Sequence, residues 1–101
     1  MKNVIKSKIA GISLHQDVIS EIVPGDELLL VREPDNRYDA NAIKVLSTAK
    51  KQLGYVNRKL AFDVARAMDE GVAVKCFACM VTGANQSLKG VNIEIQLGAS
   101  A

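Results

Sequence analysis

A chain of 101 residues with a formal net charge of +2 is the length of one domain. Apolar residues make up 49% of it, enough for a packed core, which excludes intrinsic disorder. No G-x-x-x-x-G-K-[ST] run is present, which excludes a P-loop motor; a binding module is the expected class.

The first apolar stretch, Val4 to Leu14, is interrupted by Lys6, Ser7 and Lys8. It is therefore neither a signal peptide nor a membrane span, and a cytoplasmic protein with no membrane partner is expected. It reads as a strand over 3–14, kinked at Gly11. His15 to Val23 carries Val18, Ile19 and Ile22 at helical spacing, with Asp17 as the expected N-cap. Pro24-Gly25 reads as a turn. Glu27 to Glu33 is a short apolar strand, and 34–41 is a polar loop of Asx and Pro turn chemistry. Ala42–Leu46 and Gln52–Val56 read as a hairpin. Asn57 is the expected cap of the clearest helix, Arg58–Glu70. Its buried stripe is Leu60, Ala61, Val64, Ala65 and Met68, and Gly71 stands at the position after its end. Val72–Val81 and Gly90–Leu97 are two further strands, and 98–101 is a flexible tail.

That order predicts a mainly β fold with two helices. It is a small OB-like or SH3-like β-barrel of about six strands, with one short and one longer α-helix. The expected organisation is a single domain over 1–101, with its core over 4–97.

Cys76 and Cys79 form a C-x-x-C. They fall within a strand, where residues three apart face opposite sides, and His15 is the chain's sole histidine. Two reduced thiols packed as small hydrophobes are expected, with no metal and no cofactor. Glu33, Asp35 and Asp39 share one loop with no histidine, so a metal-dependent nuclease cluster is disfavoured and no catalytic residue is expected. Arg32 and Glu33 read as a cross-strand surface pair worth little.

The small net charge conceals blocks. Residues 17–36 hold six acids against Arg32, whereas 37–68 hold seven basic side chains against Asp39 and Asp63. Such a basic block can follow phosphates or form an ordinary solvated surface. The aromatics divide as well: Phe62 and Phe77 read as core or helix packing, leaving Tyr38 and Tyr55. Taken alone, Tyr38 either plugs the barrel mouth or stacks on a ligand. Asp39 and Asn41 either cap a turn or contribute to a site.

The run from Leu30 to Val45, with Asn36-Arg37-Tyr38-Asp39 at its centre, resembles the central motif of the HIRAN domain family. The resemblance extends upstream to Gly11-Ile12-Ser13-Leu14-His15-Gln16 and downstream to Leu53-Gly54-Tyr55-Val56-Asn57-Arg58, covering roughly residues 4–97. It implies a modified OB-type barrel. In members fused to SWI2/SNF2-type DNA translocases, the domain binds single-stranded DNA and captures a free 3′-hydroxyl end during replication-fork reversal. By resemblance, Tyr38 stacks on a terminal base and Asp39 accepts from the 3′-hydroxyl. Asn36 holds the loop or reaches the end nucleotide, and Arg37 replaces a proline with a basic residue. Tyr55 stands where the translocase-fused domain has a phosphate-contacting histidine, with a hydroxyl available as a donor. Arg58 stands at a basic phosphate-contacting position, and Asn57 contributes beside it. Ser13 and Leu14 replace an arginine and a tyrosine, with His15 or Lys8 as the expected substitutes. The expected partners are single-stranded DNA or DNA 3′ ends, in DNA repair or fork processing. The alternative is an adaptor that recruits a separate helicase or nuclease.

Overall fold

The computed structural model describes residues 3–83 and 88–98. Six strands form one curled antiparallel sheet: β1 Asn3–Lys8, β2 Glu27–Arg32, β3 Ile43–Leu46, β4 Gln52–Tyr55, β5 Val74–Thr82 and β6 Gly90–Leu97. Their spatial order is β1-β6-β5-β2-β3-β4. Two helices, α1 Gln16–Ile19 and α2 Arg58–Asp69, complete the fold. The architecture is thus the mainly β, OB-like one expected. No helix among the described residues is long and apolar enough to cross a membrane.

The sheet curls until its two edges meet. Beyond β1, Ala10 pairs with Tyr55 through two hydrogen bonds, Ala10 N–H to Tyr55 O at 2.8 Å and Tyr55 N–H to Ala10 O at 2.9 Å. The contact is a single bridge: β1 otherwise pairs only with β6, and β4 only with β3. It requires Gly54. A Cβ at that position would overlap the Ala10 carbonyl oxygen and lie 2.7 Å from Ile9 Cγ2. The inner face of the curl is the core, where Ile43, Leu53, Val45, Ile93 and Ile95 are fully buried. Alternation along β6 explains this: Val91, Ile93 and Ile95 point in, while Asn92, Glu94 and Gln96 are only half-buried.

The helix α2 closes the core with Ala61, Val64 and Ala65. Asn57 caps it, its side chain accepting from Lys59 N–H at 2.9 Å. Gly71 follows at φ 83°, the left-handed position expected after a helix end. Phe62 is the exception to the expected packing. It lies one residue off the buried stripe and is 56% exposed. Phe77 is only half-buried too: it sits between Glu94 and Glu27 on the outer sheet face.

The structure corrects two segments near the N-terminus. The first strand stops at Lys8, and Gly11 at φ 70° leads into a single 3₁₀ turn, Ile12–Leu14. The next helix has only four residues, and Asp17 lies in its first turn rather than at its N-cap, which is His15. Beyond Ile19 the chain tightens into three-residue turns, with Glu21 N–H bonding Val18 O and Ile22 N–H bonding Ile19 O. Ile22 is therefore buried without an α-helix to carry it. Gln16 fastens this region to the β5–β6 hairpin. Its amide accepts from Lys89 N–H at 2.7 Å and donates to Lys89 O at 2.9 Å.

The two cysteines separate as the strand alternation requires: Cys76 packs in the core as expected, but Cys79 is exposed and does not pack as a small hydrophobe. Burial pushes the Cys76 thiol up to about 12. That keeps it protonated and unreactive as a nucleophile.

The seam gives a direct test. Gly54→Ala introduces a methyl where the backbone of the opposite edge already stands. It should lower stability by about 1–3 kcal/mol, the range for overpacking, with the urea midpoint falling. An unchanged midpoint would mean that the edges do not close at Gly54.

Candidate nucleic-acid interface

The loop between β2 and β3 is built from local side-chain chemistry. Its ends are clasped by Glu33 N–H bonding Ala42 O at 2.9 Å. Within it, Asn36 Oδ1 accepts from both Tyr38 N–H at 2.8 Å and Asp39 N–H at 3.1 Å. Asp39 Oδ1 in turn accepts from Asn41 N–H at 2.9 Å. These are Asx turns, in which a short side chain does the work of a backbone carbonyl. The backbone at Tyr38 is thus held while the residue is 81% exposed. A plug for the barrel mouth would be buried, so the ring does not fill that role.

Arg32 braces the same loop from below. Its guanidinium forms a two-toothed pair with Asp69 near the end of α2, at 3.0 and 3.2 Å, and donates to Ala40 O and Ala42 O, both at 3.1 Å. The expected Arg32–Glu33 surface pair does not form. Successive strand residues face opposite sides, and each charge finds a partner on its own side.

Glu33 has three partners. Its Oε1 accepts from Asn36 Nδ2 at 2.6 Å and from the Tyr55 hydroxyl at 3.0 Å, and its Oε2 lies 3.0 Å from Lys44 Nζ. The hydrogen bond from Asn36, then that from Lys44, holds the Glu33 carboxyl below the ordinary glutamate value, and Glu33 in turn raises Lys44. Tyr55 is thereby tied, across the sheet, to the loop that carries Tyr38.

Together these elements leave an open pocket of about 410 Å³ at the seam. Ala10, Ala42 and Val56 supply apolar lining, and Asn36, Tyr38, Asp39, Tyr55 and Arg58 supply the polar and aromatic groups. Its volume is in the range of small-ligand sites. The Arg58 side chain is 81% exposed and opens α2, with Nε 3.9 Å from Asp39 Oδ2. An anion there would meet the Arg58 guanidinium at the positive end of the α2 dipole, although Lys59 N–H is already taken by the Asn57 cap.

Of the ten residues singled out in the sequence, five line this pocket: Asn36, Tyr38, Asp39, Tyr55 and Arg58. Arg37 is exposed on the same loop but outside the lining. Asn57 spends its side-chain oxygen on the helix cap. Ser13, Leu14 and His15 lie on or just after the 3₁₀ turn, which packs beside β4 without entering the pocket. Leu14 is 85% exposed there. Lys8 ends β1 opposite Asn92, away from the lining. The Tyr55 hydroxyl, expected to be available as a donor, already donates to Glu33. Glu33, Lys44 and Gln16 were not singled out as organising residues. The strand register carries a signal for the first two. Val31 is opposite Lys44, which sets Glu33 diagonally across from it on the same face.

A curled six-strand barrel with an aromatic and basic pocket at its seam defines a class of small ligand-binding domain. The comparisons with known proteins give the class its family. The model of the HIRAN domain matches residues 2–98, and the chain belongs to that family. A Fanconi-associated nuclease 1 homolog of Oryza sativa is 32% identical over 96 residues, covering 92% of this chain but only 10% of that protein. The crystal structure of the HIRAN domain of human HLTF superposes with a TM-score of 0.78 at 24% identity, over 94% of this chain and 74% of that one. The NMR structure of the HLTF HIRAN domain in its DNA-bound conformation superposes at 0.63 with 25% identity, over 92% and 74%.

The charge network predicts an acid limb. Glu33 and Asp69 are both held below their ordinary values, 4.5 and 3.8, Asp69 by its hydrogen bonds from Arg32. Groups lowered by folding add stability above their unfolded values and lose it as pH falls through the folded ones. Thermal stability should therefore drop below pH 4.5, and Glu33→Gln should make that drop shallower. Lys44 has the opposite sign: its contribution is complete below 10.5 and disappears at still higher pH. Melting curves collected across both windows check this, and an acid limb unchanged by Glu33→Gln would contradict it.

Proposed function

We propose that this domain binds single-stranded DNA in the seam pocket and takes its 3′-hydroxyl end, as a recognition element in DNA repair or replication-fork processing. The observation that carries the reading is Tyr38. The residue is 81% exposed, yet its backbone is held by Asn36, and it shares one pocket with Asp39 and Arg58. An exposed aromatic face on a fixed loop stacks on any base. Asp39 Oδ2 accepts from a terminal hydroxyl and repels a terminal phosphate, while Arg58 faces the internucleotide phosphate. The DNA-bound conformation of the HLTF domain, similar over 92% of this chain, supports the choice of ligand.

In this reading the domain performs no chemistry of its own. The chain spans a tenth of the length of the nuclease homolog it matches, so the activity of that protein is not carried over. The domain delivers a DNA end to a helicase or nuclease, whether joined to it or separate.

Fluorescence anisotropy with a labelled oligothymidylate tests this. Tyr38→Ala should weaken binding by about 1–3 kcal/mol, the cost of losing one base–aromatic stack. Arg58→Ala should flatten the dependence of log affinity on log salt by about 0.7, one released counterion on a single strand. Equal affinity for 3′-hydroxyl and 3′-phosphate ends would overturn end capture. No binding at low salt would overturn the DNA reading itself.

A further inference from the structure

Glu33 lies where it reaches two sides of the pocket with a single oxygen. Its Oε1 takes the Asn36 amide at 2.6 Å and the Tyr55 hydroxyl at 3.0 Å, and Lys44 holds the other oxygen at 3.0 Å. An ionised carboxylate has no hydrogen to give, so the hydrogen in the contact with Tyr55 is the phenol's own. Glutamate is ionised at neutral pH at its ordinary value of 4.5, and these hydrogen bonds lower it further.

A phenol carries one hydrogen. With that hydrogen directed at Glu33, Tyr55 has only an oxygen lone pair left to offer a ligand. Asp39 adds a second acceptor, because Asn41 N–H occupies Oδ1 and leaves Oδ2 facing Arg58 at 3.9 Å. Asn36 adds none: both of its acceptor interactions go to the loop backbone.

We infer that Glu33 is the specificity-determining residue of this pocket: by holding the hydrogen of Tyr55 it makes Tyr55 an acceptor, so the pocket selects a strand end that donates, a hydroxyl, over one that only accepts, a phosphate. Glu33 acts through Tyr55 and Asn36 and does not touch the ligand, which makes it a positioning residue. The inference rests on the reading of the pocket as a site for a DNA end and assigns the discrimination to a particular pair of atoms.

The charge of Glu33 and its grip on Tyr55 are separable. Glu33→Gln removes the charge but keeps an oxygen that accepts from both Asn36 and Tyr55. Glu33→Ala removes both and releases the hydroxyl to donate. The wild type, E33Q, E33A, Y55F and the E33A/Y55F double variant are titrated with two labelled oligothymidylates, one ending in 3′-hydroxyl and one in 3′-phosphate. Circular dichroism confirms that each variant is folded. E33A should shift the hydroxyl-to-phosphate preference toward phosphate by roughly three- to tenfold, the value of one hydrogen bond. E33Q should stay near the wild type. In the double variant the E33A shift should vanish, because no hydroxyl remains to be released. A preference unchanged in E33A, a shift equally large in E33Q, or a shift that persists in the double variant would overturn the inference.

If the wild type binds neither oligonucleotide, the DNA reading fails and the hold exerted by Glu33 is read on the free protein. In an amide proton–nitrogen spectrum, E33A should move the Asn36 side-chain signals and the backbone signals of Tyr38 and Asp39, while E33Q should leave them close to the wild type. Signals unmoved in E33A would overturn the positioning role without reference to any ligand.

Discussion

The meeting of Ala10 with Tyr55 is the contact on which the rest of the structure depends. Two backbone hydrogen bonds, at 2.8 and 2.9 Å, join the ends of a sheet whose outermost strands are β1 and β4. A curled sheet left open there would expose the apolar inner face behind the seam. Gly54 permits the approach, since any side chain there would occupy the space of the Ala10 carbonyl. The same contact creates the pocket. Ala10 comes from one edge, Tyr55 and Val56 from the other, and the pocket lies where they join. Closing the core and assembling the site are thus one event.

Around that seam, charged groups serve order and leave apolar burial to the core. No polar or charged residue among those described is buried in the core. The ion pairs lie at the surface, where each is worth little as stability. Their value is geometric. Arg32 links the last turn of α2 to the descending limb of the loop, and Glu33 links the ascending limb to β4. The loop between them has Asx turns instead of sheet hydrogen bonds, which frees it to carry an exposed tyrosine on a fixed backbone. Stacking on a ligand base then requires less ordering of the loop, so less of the contact energy is lost to conformational entropy.

The parts of this arrangement legible in the sequence are those determined by local chemistry. The helix α2 was readable from Asn57, the apolar period and Gly71, because cap, stripe and stop are all short-range signals. The barrel was readable from strand spacing, and the pocket residues Tyr38, Asp39, Tyr55 and Arg58 from the resemblance to the HIRAN family. Long-range partners were not. Glu33 and Tyr55 are 22 residues apart, and Gln16 and Lys89 are 73 apart, so nothing local marks either pair. Residue type alone suggests packing for Phe62, although the same period that buries Ala61 and Ala65 turns it toward solvent. The short helix before Pro24 kept its apolar spacing while its hydrogen bonds tightened from four-residue to three-residue turns, a change that periodicity does not register.

Mapping the surface that meets a strand end is the most direct measurement of the central claim. Amide signals of the labelled protein are followed as an unlabelled oligothymidylate with a 3′-hydroxyl end is added. The largest shifts are predicted at Ala10, across 36–42 and from Tyr55 to Lys59, the two sides of the seam. Shifts concentrated instead on the outer face of β5 and β6, around Phe77, Met80 and Glu94, would contradict the claim that closure of the barrel builds the binding site.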